Sequence, residues 1–395
     1  MKIGIDIRAI GRQRTGDEVY TLNLVKNLLK VDRKNQYFFY TNTRNKSDIE
    51  AIRNKIDPEN IFSNFSIAFV LPKSKAFWTF FSLPWHLVKN PVDVLHVQYI
   101  TPFWLPKKTK LITTIHDVSF RAFSEHIDKK DLLFLKSLLP ISLARADEII
   151  AVSHFTKNEI VKYYKTKKEK ISVVWNGGAS GEFFEEISGE KIDFARRKYE
   201  IEKPFVLYVG THQPRKKIPL MLRAFERLKN ENENNEKIKE IQLVITGKRN
   251  GHNSDKEIDK TLDKIEKRNP EIFKDIRFIG FVDDKDLPAV YQEAKVFCFP
   301  SLYEGFGLPS IEAMASGVPV LCSDSSCFRE INEENVLYFK ENDLSDFTKK
   351  LFDIIMEKNL REELQEKGKK RAIFFDWEKC AGETIAVYEK IAGKL

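Results

Sequence analysis

The sequence predicts an α/β protein of two doubly wound, Rossmann-like domains, and three observations carry that prediction. A strand–loop–helix opening occurs twice, once from Ile3 to the helix after Gly16 and again from Phe205 to the helix after Lys217. Short apolar runs rich in Val, Ile and Phe alternate with helical patterns along the chain, as parallel sheets built from βαβ units require. A length of 395 residues exceeds what one ordinary core organises.

In chain order, residues 3–7 (IGIDI) read as a first strand, followed by a loop to Gly16 and a helix from Tyr20 to Leu29 with Leu22, Val25, Leu28 and Leu29 at its apolar positions. The loop lacks a G-x-G-x-x-G fingerprint, so a dinucleotide site is not supported, while Gly16 could admit a phosphate close to the backbone. Further strands are expected at Gln36–Thr41, Phe65–Val70, Asp93–Gln98 and Lys110–His116. Between them lies an aromatic stretch, Ala76–Val88, read as a core helix broken at Pro84 in preference to a membrane-contacting or acceptor-binding patch. His116 falls at a strand's C-terminal end, where α/β folds place ligands. Ser153 reads as the cap of a helix to Tyr164, and Ile171–Trp175 as a last strand before the turn residues Asn176–Gly181. The expected domains are 1–180 and 203–375, with residues 376–395 a helix packing back on the first.

The second series opens with a strand at Phe205–Val209 and the loop GTHQPRKK, in which Gly210 precedes Arg215, Lys216 and Lys217. Cations between a strand end and a helix start suit a diphosphate. Asn230–Glu240 is a polar tract expected to be an exposed turn. Strands follow at Ile241–Thr246, ending at Gly247, and at Ile276–Val282. The acids Asp283–Asp286 are read as capping the next helix rather than holding a metal. Helical patterns at 344–358, 360–374 and 377–391 close the chain.

The most informative stretch is Val296–Asp324. It reads as strand, glycine loop, short helix and strand, with Pro309 at the first helical position, Gly317 just past the last, and a strand at Val318–Cys322. A helix N-terminus aimed at such a loop offers unbonded N–H groups to an anion. Glu304 precedes the glycines, and Glu312 is placed in the first helical turn. A strand end, an anion cradle and two carboxylates point to a nucleotide sugar.

Composition sets outer bounds. The net charge of +8 favours anionic partners without choosing among them, and no aromatic–basic signature of nucleic-acid binding is present. No apolar run approaches the roughly 20 residues of a membrane span. Four cysteines in neither CxxC nor zinc spacing read as free thiols of a reducing cytoplasm.

On these residues the chain resembles the retaining glycosyltransferases of the two-Rossmann GT-B fold, specifically family 4, also called group 1, and within it a mannosyltransferase-like subgroup. The E-x7-E block PSLYEGFGLPSIEAMASGVPV carries the resemblance most specifically, supported by IGIDIRAIG, ADEIIAVSHFTK, VVWNGG, YVGTHQPRKK and FDWEKCA. The resemblance implies two domains facing across a cleft. It implies a nucleotide diphosphate sugar as donor, a glycan or lipid-linked hydroxyl as acceptor, and a role in polysaccharide or lipopolysaccharide synthesis. It implies no metal or other cofactor, and a cytoplasmic location, at the inner membrane face where association is peripheral. Glu312 would grip the ribose and Glu304 would lie by the donor sugar. Arg215 and Lys216 would neutralise the leaving diphosphate, and His116 would stand beside the sugar. The backbone of Gly305, Phe306, Gly307 and Leu308 would hold sugar or phosphate oxygens, and groups near Gly247 and Val282 would face the base. Gly16 matches the family's early glycine loop, but Asp17–Val19 replace its usual second glycine. The alternatives are an idle nucleotide-binding scaffold, or another enzyme of this fold such as a sugar-nucleotide epimerase.

Overall fold

The computed structural model describes residues 1–11, 15–71, 74–249 and 253–393, so part of the loop before Gly16, with Arg14, and part of the loop after Gly247, with Gly251, lie outside the described residues. The chain forms two compact units. Unit 1 comprises Met1–Ala122, Lys129–Gly177 and Asp376–Leu395, and unit 2 comprises Phe123–Asp128 and Gly178–Phe375.

Unit 1 is built on seven parallel strands: β1 (Lys2–Asp6), β2 (Gln36–Thr41), β3 (Phe65–Phe69), β4 (Val94–Gln98), β5 (Lys110–Ile115), β6 (Glu148–Ala151) and β7 (Ile171–Val173), in the order β3-β2-β1-β4-β5-β6-β7. Helices cover both faces, which is why β1 and β6 carry buried residues on alternate and adjacent positions alike. Asp6 and Arg8, the polar interruptions of the first apolar run, pair with each other at 2.6 Å, and the Arg8 guanidinium lies 3.6 Å over the Trp78 ring. The Gly16–Val31 helix is capped by Thr15, whose hydroxyl accepts from the Glu18 N–H. Glu18 stands in the segment that replaces the second glycine. Its buried carboxylate accepts the Gly11 N–H at 3.0 Å, so a side chain closes the loop.

The C-terminal helix, Trp377–Ala392, belongs to unit 1 and lies against the Gly16–Val31 helix. A buried polar chain joins it to the sheet. Tyr388 Oη lies 2.7 Å from His96 Nδ1, His96 Nε2 lies 2.7 Å from Thr114 Oγ1, and Thr114 Oγ1 lies 3.1 Å from Tyr20 Oη. Burial, helped by nearby His116 and resisted by Asp6, pushes the His96 pKa down to about 3. The ring is therefore neutral in the fold but takes a proton in the unfolded chain below the ordinary value. Stability is complete above pH 6.5 and falls as acid is added, by about 2 kcal/mol from this residue between pH 7 and pH 5. Chemical denaturation at the two pH values measures the slope, and His96→Gln flattens it.

Unit 2 holds β8 (Phe205–Tyr208), β9 (Gln242–Thr246), β10 (Ile276–Gly280), β11 (Val296–Phe299), β12 (Val320–Ser323) and β13 (Leu337–Phe339), all parallel in the order β10-β9-β8-β11-β12-β13. Residues between 181 and 202, outside the expected domain ranges, fold within this unit as a turn at Gly181–Phe183 and a helix at Gly189–Lys198. That helix explains the acids at 283–286. Asp286 makes no side-chain cap to its helix; instead it accepts from Lys198 Nζ at 2.6 Å and Tyr199 Oη at 2.9 Å. The capping reading is thus replaced by an ion pair that anchors one helix to the next. The polar tract 230–240 also differs from a plain turn. Asn235 caps a short helix, Glu236–Lys239, that buries Ile238 completely.

All four cysteines are buried free thiols. No helix among the described residues is long and apolar enough to cross a membrane.

Candidate active site

Between β8 and β11 the order of connections in unit 2 reverses. Open parallel sheets bind ligands at such a point, outside the carboxyl ends of the strands. The loop after β8 carries Arg215 and Lys216, and the loop after β11 carries Glu304.

Local geometry brings the three together. Pro214–Lys216 form one tight 3-10 turn, and Lys217 turns left-handed (φ 53°) to start the Ile218–Glu231 helix. Lys217 therefore serves the backbone as a junction. The Arg215 carbonyl accepts the Leu302 N–H at 2.8 Å, which ties this turn to the loop after β11. Arg215 Nη1 donates to the Tyr303 carbonyl at 2.7 Å and lies 3.4 Å from Glu304 Oε2. Lys216 Nζ donates to Glu304 Oε1. Lys216 is 7% exposed and Glu304 9%, so these charges interact with little screening by water.

Burial alone would raise the pKa of Glu304. The Lys216 ammonium and Arg215 guanidinium, with hydrogen bonds from Lys216 and Ser301, outweigh it and hold the carboxyl below the usual range. Glu304 is an anion at neutral pH and does not serve as a general acid. It can stabilise positive charge, or attack.

The next turn is the helix Leu308–Ala315. Gly307 precedes it with φ 86°, a conformation that favours glycine, and a Cβ there would lie 3.0 Å from the Phe328 ring, closer than an ordinary contact. N–H groups at a helix start have no acceptor within the helix, which leaves those about Phe306, Gly307 and Leu308 directed at the loop. Phe306 is buried, its ring 5.5 Å from Phe375, and Gly305 is buried beside it. The helix ends as the sequence indicates: Val318 N–H donates to the Ala313 carbonyl and Gly317 N–H to that of Met314, with Gly317 at φ 70°. One expectation changes. Because the helix begins at Leu308, Pro309 is its second residue and Glu312 its fifth, so Glu312 sits in the second turn and helix-dipole pairing does not explain it. Its carboxylate is buried and accepts from Tyr291 Oη at 3.1 Å.

Gly210 and Gly247 mark the close approach of two strand ends. A Cβ on Gly247 would lie 2.1 Å from the Gly210 carbonyl oxygen. The Gly247 N–H donates to the Gly280 carbonyl at 2.7 Å, so this pair of backbone groups is engaged within the unit. The Val282 side chain is buried. Thus the structure gathers Arg215, Lys216, Glu304, Gly305, Phe306, Gly307, Leu308 and Glu312 around the β8–β11 ends, with Gly210, Gly247 and Val282 on the neighbouring strand exits.

In unit 1, His116 follows β5. Its Nε2 lies 2.9 Å from Gln98 Oε1 and 4.0 Å from Asp17 Oδ1, and the Tyr20 ring meets it edge-on at 4.6 Å. Burial lowers its basicity against the pull of Asp17 and Asp117, leaving a neutral ring. Gly16 is the first residue of its helix, with open space where a Cβ would be.

The sequence reading missed Tyr291 and Ser326. Tyr291 falls in an apolar helical pattern with Leu287 and Val290, yet its hydroxyl holds Glu312. Ser326, at φ 51°, accepts the Glu304 N–H at 3.3 Å. No local pattern announces either contact.

Comparison with known proteins agrees with the geometry. Residues 14–177 match the family profile "Glycosyltransferase Family 4", and residues 191–371 match "Glycosyl transferases group 1". The chain is 30% identical to O-antigen chain mannosyltransferase B of Escherichia coli over 73% of this chain and 72% of that protein. It is 28% identical to O-antigen chain mannosyltransferase RfbU of Salmonella typhimurium over 58% and 56%. Among solved structures, sucrose-phosphate synthase from Thermosynechococcus elongatus superposes with a TM-score of 0.74 at 18% identity, covering all of both chains. WaaG, a glycosyltransferase involved in lipopolysaccharide biosynthesis, superposes at 0.71 and 14%, covering 98% and 99%. These likenesses show the GT-B fold. The chain belongs to glycosyltransferase family 4, the group 1 glycosyl transferases, and is a hexosyltransferase.

Proposed function

We propose that the protein transfers mannose, or a closely similar hexose, from a nucleotide diphosphate sugar to a hydroxyl of a glycan or lipid-linked acceptor, with retention at the anomeric carbon, in O-antigen or related lipopolysaccharide assembly at the cytoplasmic side. The observation that carries the reading is the ion cluster Arg215–Lys216–Glu304 at the β8–β11 ends, beside a helix N-terminus and Glu312. The names of the two mannosyltransferase relatives support the choice of sugar and pathway class.

Arg215 and Lys216 face one carboxylate, Glu304, so with the helix start this part of the site has positive charge to spare, which a diphosphate would neutralise. Arg215 and Lys216 would exchange part of their hold on Glu304 for phosphate oxygens. As the sugar–oxygen bond breaks, the diphosphate accumulates charge against these donors, already aimed at it. Glu304 would then face the positive charge growing on the anomeric carbon. The acceptor hydroxyl attacks from the face the diphosphate leaves, and the departing phosphate takes its proton, so no separate base is needed. Glu312, held by Tyr291, would accept from the ribose hydroxyls. His116, neutral, is assigned to the transfer chemistry as a donor or acceptor of hydrogen bonds. The leaving group is assigned to side chains and backbone, and no metal or other cofactor is given a part.

A thermal-shift panel of UDP, GDP, ADP and their sugars tests the donor site, because a ligand of the folded state raises the melting temperature by mass action. One nucleotide and its sugar are expected to stand out, and chelation is expected to leave both that shift and the transfer rate unchanged. No shift with any nucleotide would support an idle scaffold instead. Nuclear magnetic resonance of the product then reads retention from the anomeric coupling. Nucleoside diphosphate formed from the nucleotide sugar without any transfer product would favour an epimerase-type reaction.

A further inference from the structure

The aromatic stretch of unit 1 is divided between two faces. Trp78, Leu83 and Leu87 are fully buried in the core formed with Tyr40, Leu95 and Val97. This inner face fits the expected core helix. The segment is continuous from Lys75 to Lys89, with a widened π turn at Trp78–Ser82, and Pro84 is accommodated near the start of its last part. The outer face is unlike an ordinary surface. Phe77, Phe81, Trp85 and Val88 are 51%, 47%, 63% and 52% exposed, at spacings of four, four and three that keep them on one side. The loop after β4 extends this face: Phe103 stacks on Phe80 at 4.1 Å, and Trp104 meets Trp85 edge-on at 5.8 Å. Arg8, stacked on Trp78 and bonded to Thr79, fixes the segment from below.

Charge chooses the occupant. From Phe65 to Lys110 the chain has six lysines and one acid, Asp93, whose carboxylate accepts the Lys2 N–H. Lys89, Lys107 and Lys108 are exposed, and they closely follow Val88 and Trp104 in the chain. Exposed Trp and Phe bordered by lysine, on a rigidly held helix, match the headgroup level of a bilayer carrying negative lipid. A symmetric contact with a second copy would set the same lysines against each other.

We propose that this face of unit 1, centred on Phe81 and Trp85, docks the protein on a membrane surface of anionic phospholipid. The aromatic rings enter the headgroup boundary, and Lys89, Lys107 and Lys108 stay in water over the phosphates. The inference goes beyond the transfer reaction and does not depend on the donor's identity.

The test is sedimentation of the full chain with vesicles of phosphatidylcholine alone or mixed with phosphatidylglycerol. Binding is expected to the mixed vesicles only, to weaken as salt is raised, and to shift tryptophan fluorescence to the blue. Phe81→Ser with Trp85→Ser is expected to weaken it by at least about tenfold, and Lys107→Glu with Lys108→Glu to abolish the preference for anionic lipid. The nucleotide-induced thermal shift serves as the control for folding. A double variant that keeps that shift and still binds vesicles as the wild type does overturns the proposal, as does wild-type protein that ignores anionic vesicles. A concentration-dependent dimer, dissolved by the same variant, would assign the face to a second copy and overturn it too. Should nucleotide binding fail while vesicle binding holds, the functional reading falls and this one stands.

Discussion

Lys216→Ala lowers sugar transfer by about 10² to 10³-fold, and it also destabilises the protein. The two effects have different causes. The rate falls because the leaving diphosphate loses a cation held in place before the reaction. Stability falls because Glu304, 9% exposed, keeps its charge while losing its closest partner, and breaking such a pair costs about 3–5 kcal/mol. Lys216→Arg restores the charge but not the fit of a slim chain in a buried slot, so it recovers stability more than rate. The sign of the pH effect follows from the same contact. A carboxyl whose folded pKa is depressed adds stability above its unfolded pKa and loses it as pH falls through the folded one. Without Lys216 that depression shrinks, so the acid limb of both stability and activity moves to higher pH. Steady-state rates and denaturation curves across pH 4–8 measure both shifts.

Glu304→Gln separates binding from chemistry. Glu304 holds Arg215 and Lys216, the two cations assigned to the diphosphate. Removing its charge frees both cations, so the variant is expected to bind the nucleoside diphosphate at least as tightly as the wild type. Transfer nevertheless falls by about 10² to 10³-fold, since positive charge on the sugar is no longer opposed. The expected pattern is a reduced kcat with an unchanged or lower KM for the donor. A glycosyl-enzyme trapped on residue 304 of the wild type would show double displacement in place of same-face attack. An unchanged kcat would remove Glu304 from the chemistry.

How much of this was legible depended on distance along the chain. The block from Glu304 to Glu312 is continuous, and its proline and glycines announce the loop and helix that position both acids. Arg215 and Lys216 announce themselves only as cations at a strand end. Their meeting with Glu304 depends on β8 pairing with β11, some 90 residues later, and no local pattern encodes that pairing. The family resemblance supplied it. The exact turn holding Glu312 was misread because Pro309 suits either of the first two helical positions, and the structure chooses the second. The Gly189–Lys198 helix was hidden by its charge, since it is held by ion pairs to residues far away in sequence, Arg196 to Glu293 and Lys198 to Asp286. In the aromatic stretch, periodicity gave the buried face and could not say that the opposite face would remain uncovered.

The cations after β8, Arg215 and Lys216, are proposed to hold the diphosphate of the donor. Calorimetric titration of the nucleoside diphosphate, against the same nucleoside without phosphates, into wild type and Arg215→Ala/Lys216→Ala tests it most directly. The wild type is expected to prefer the diphosphate strongly, and the double variant to lose most of this preference while keeping its affinity for the nucleoside. A double variant that is folded and prefers the diphosphate as strongly as the wild type would contradict it.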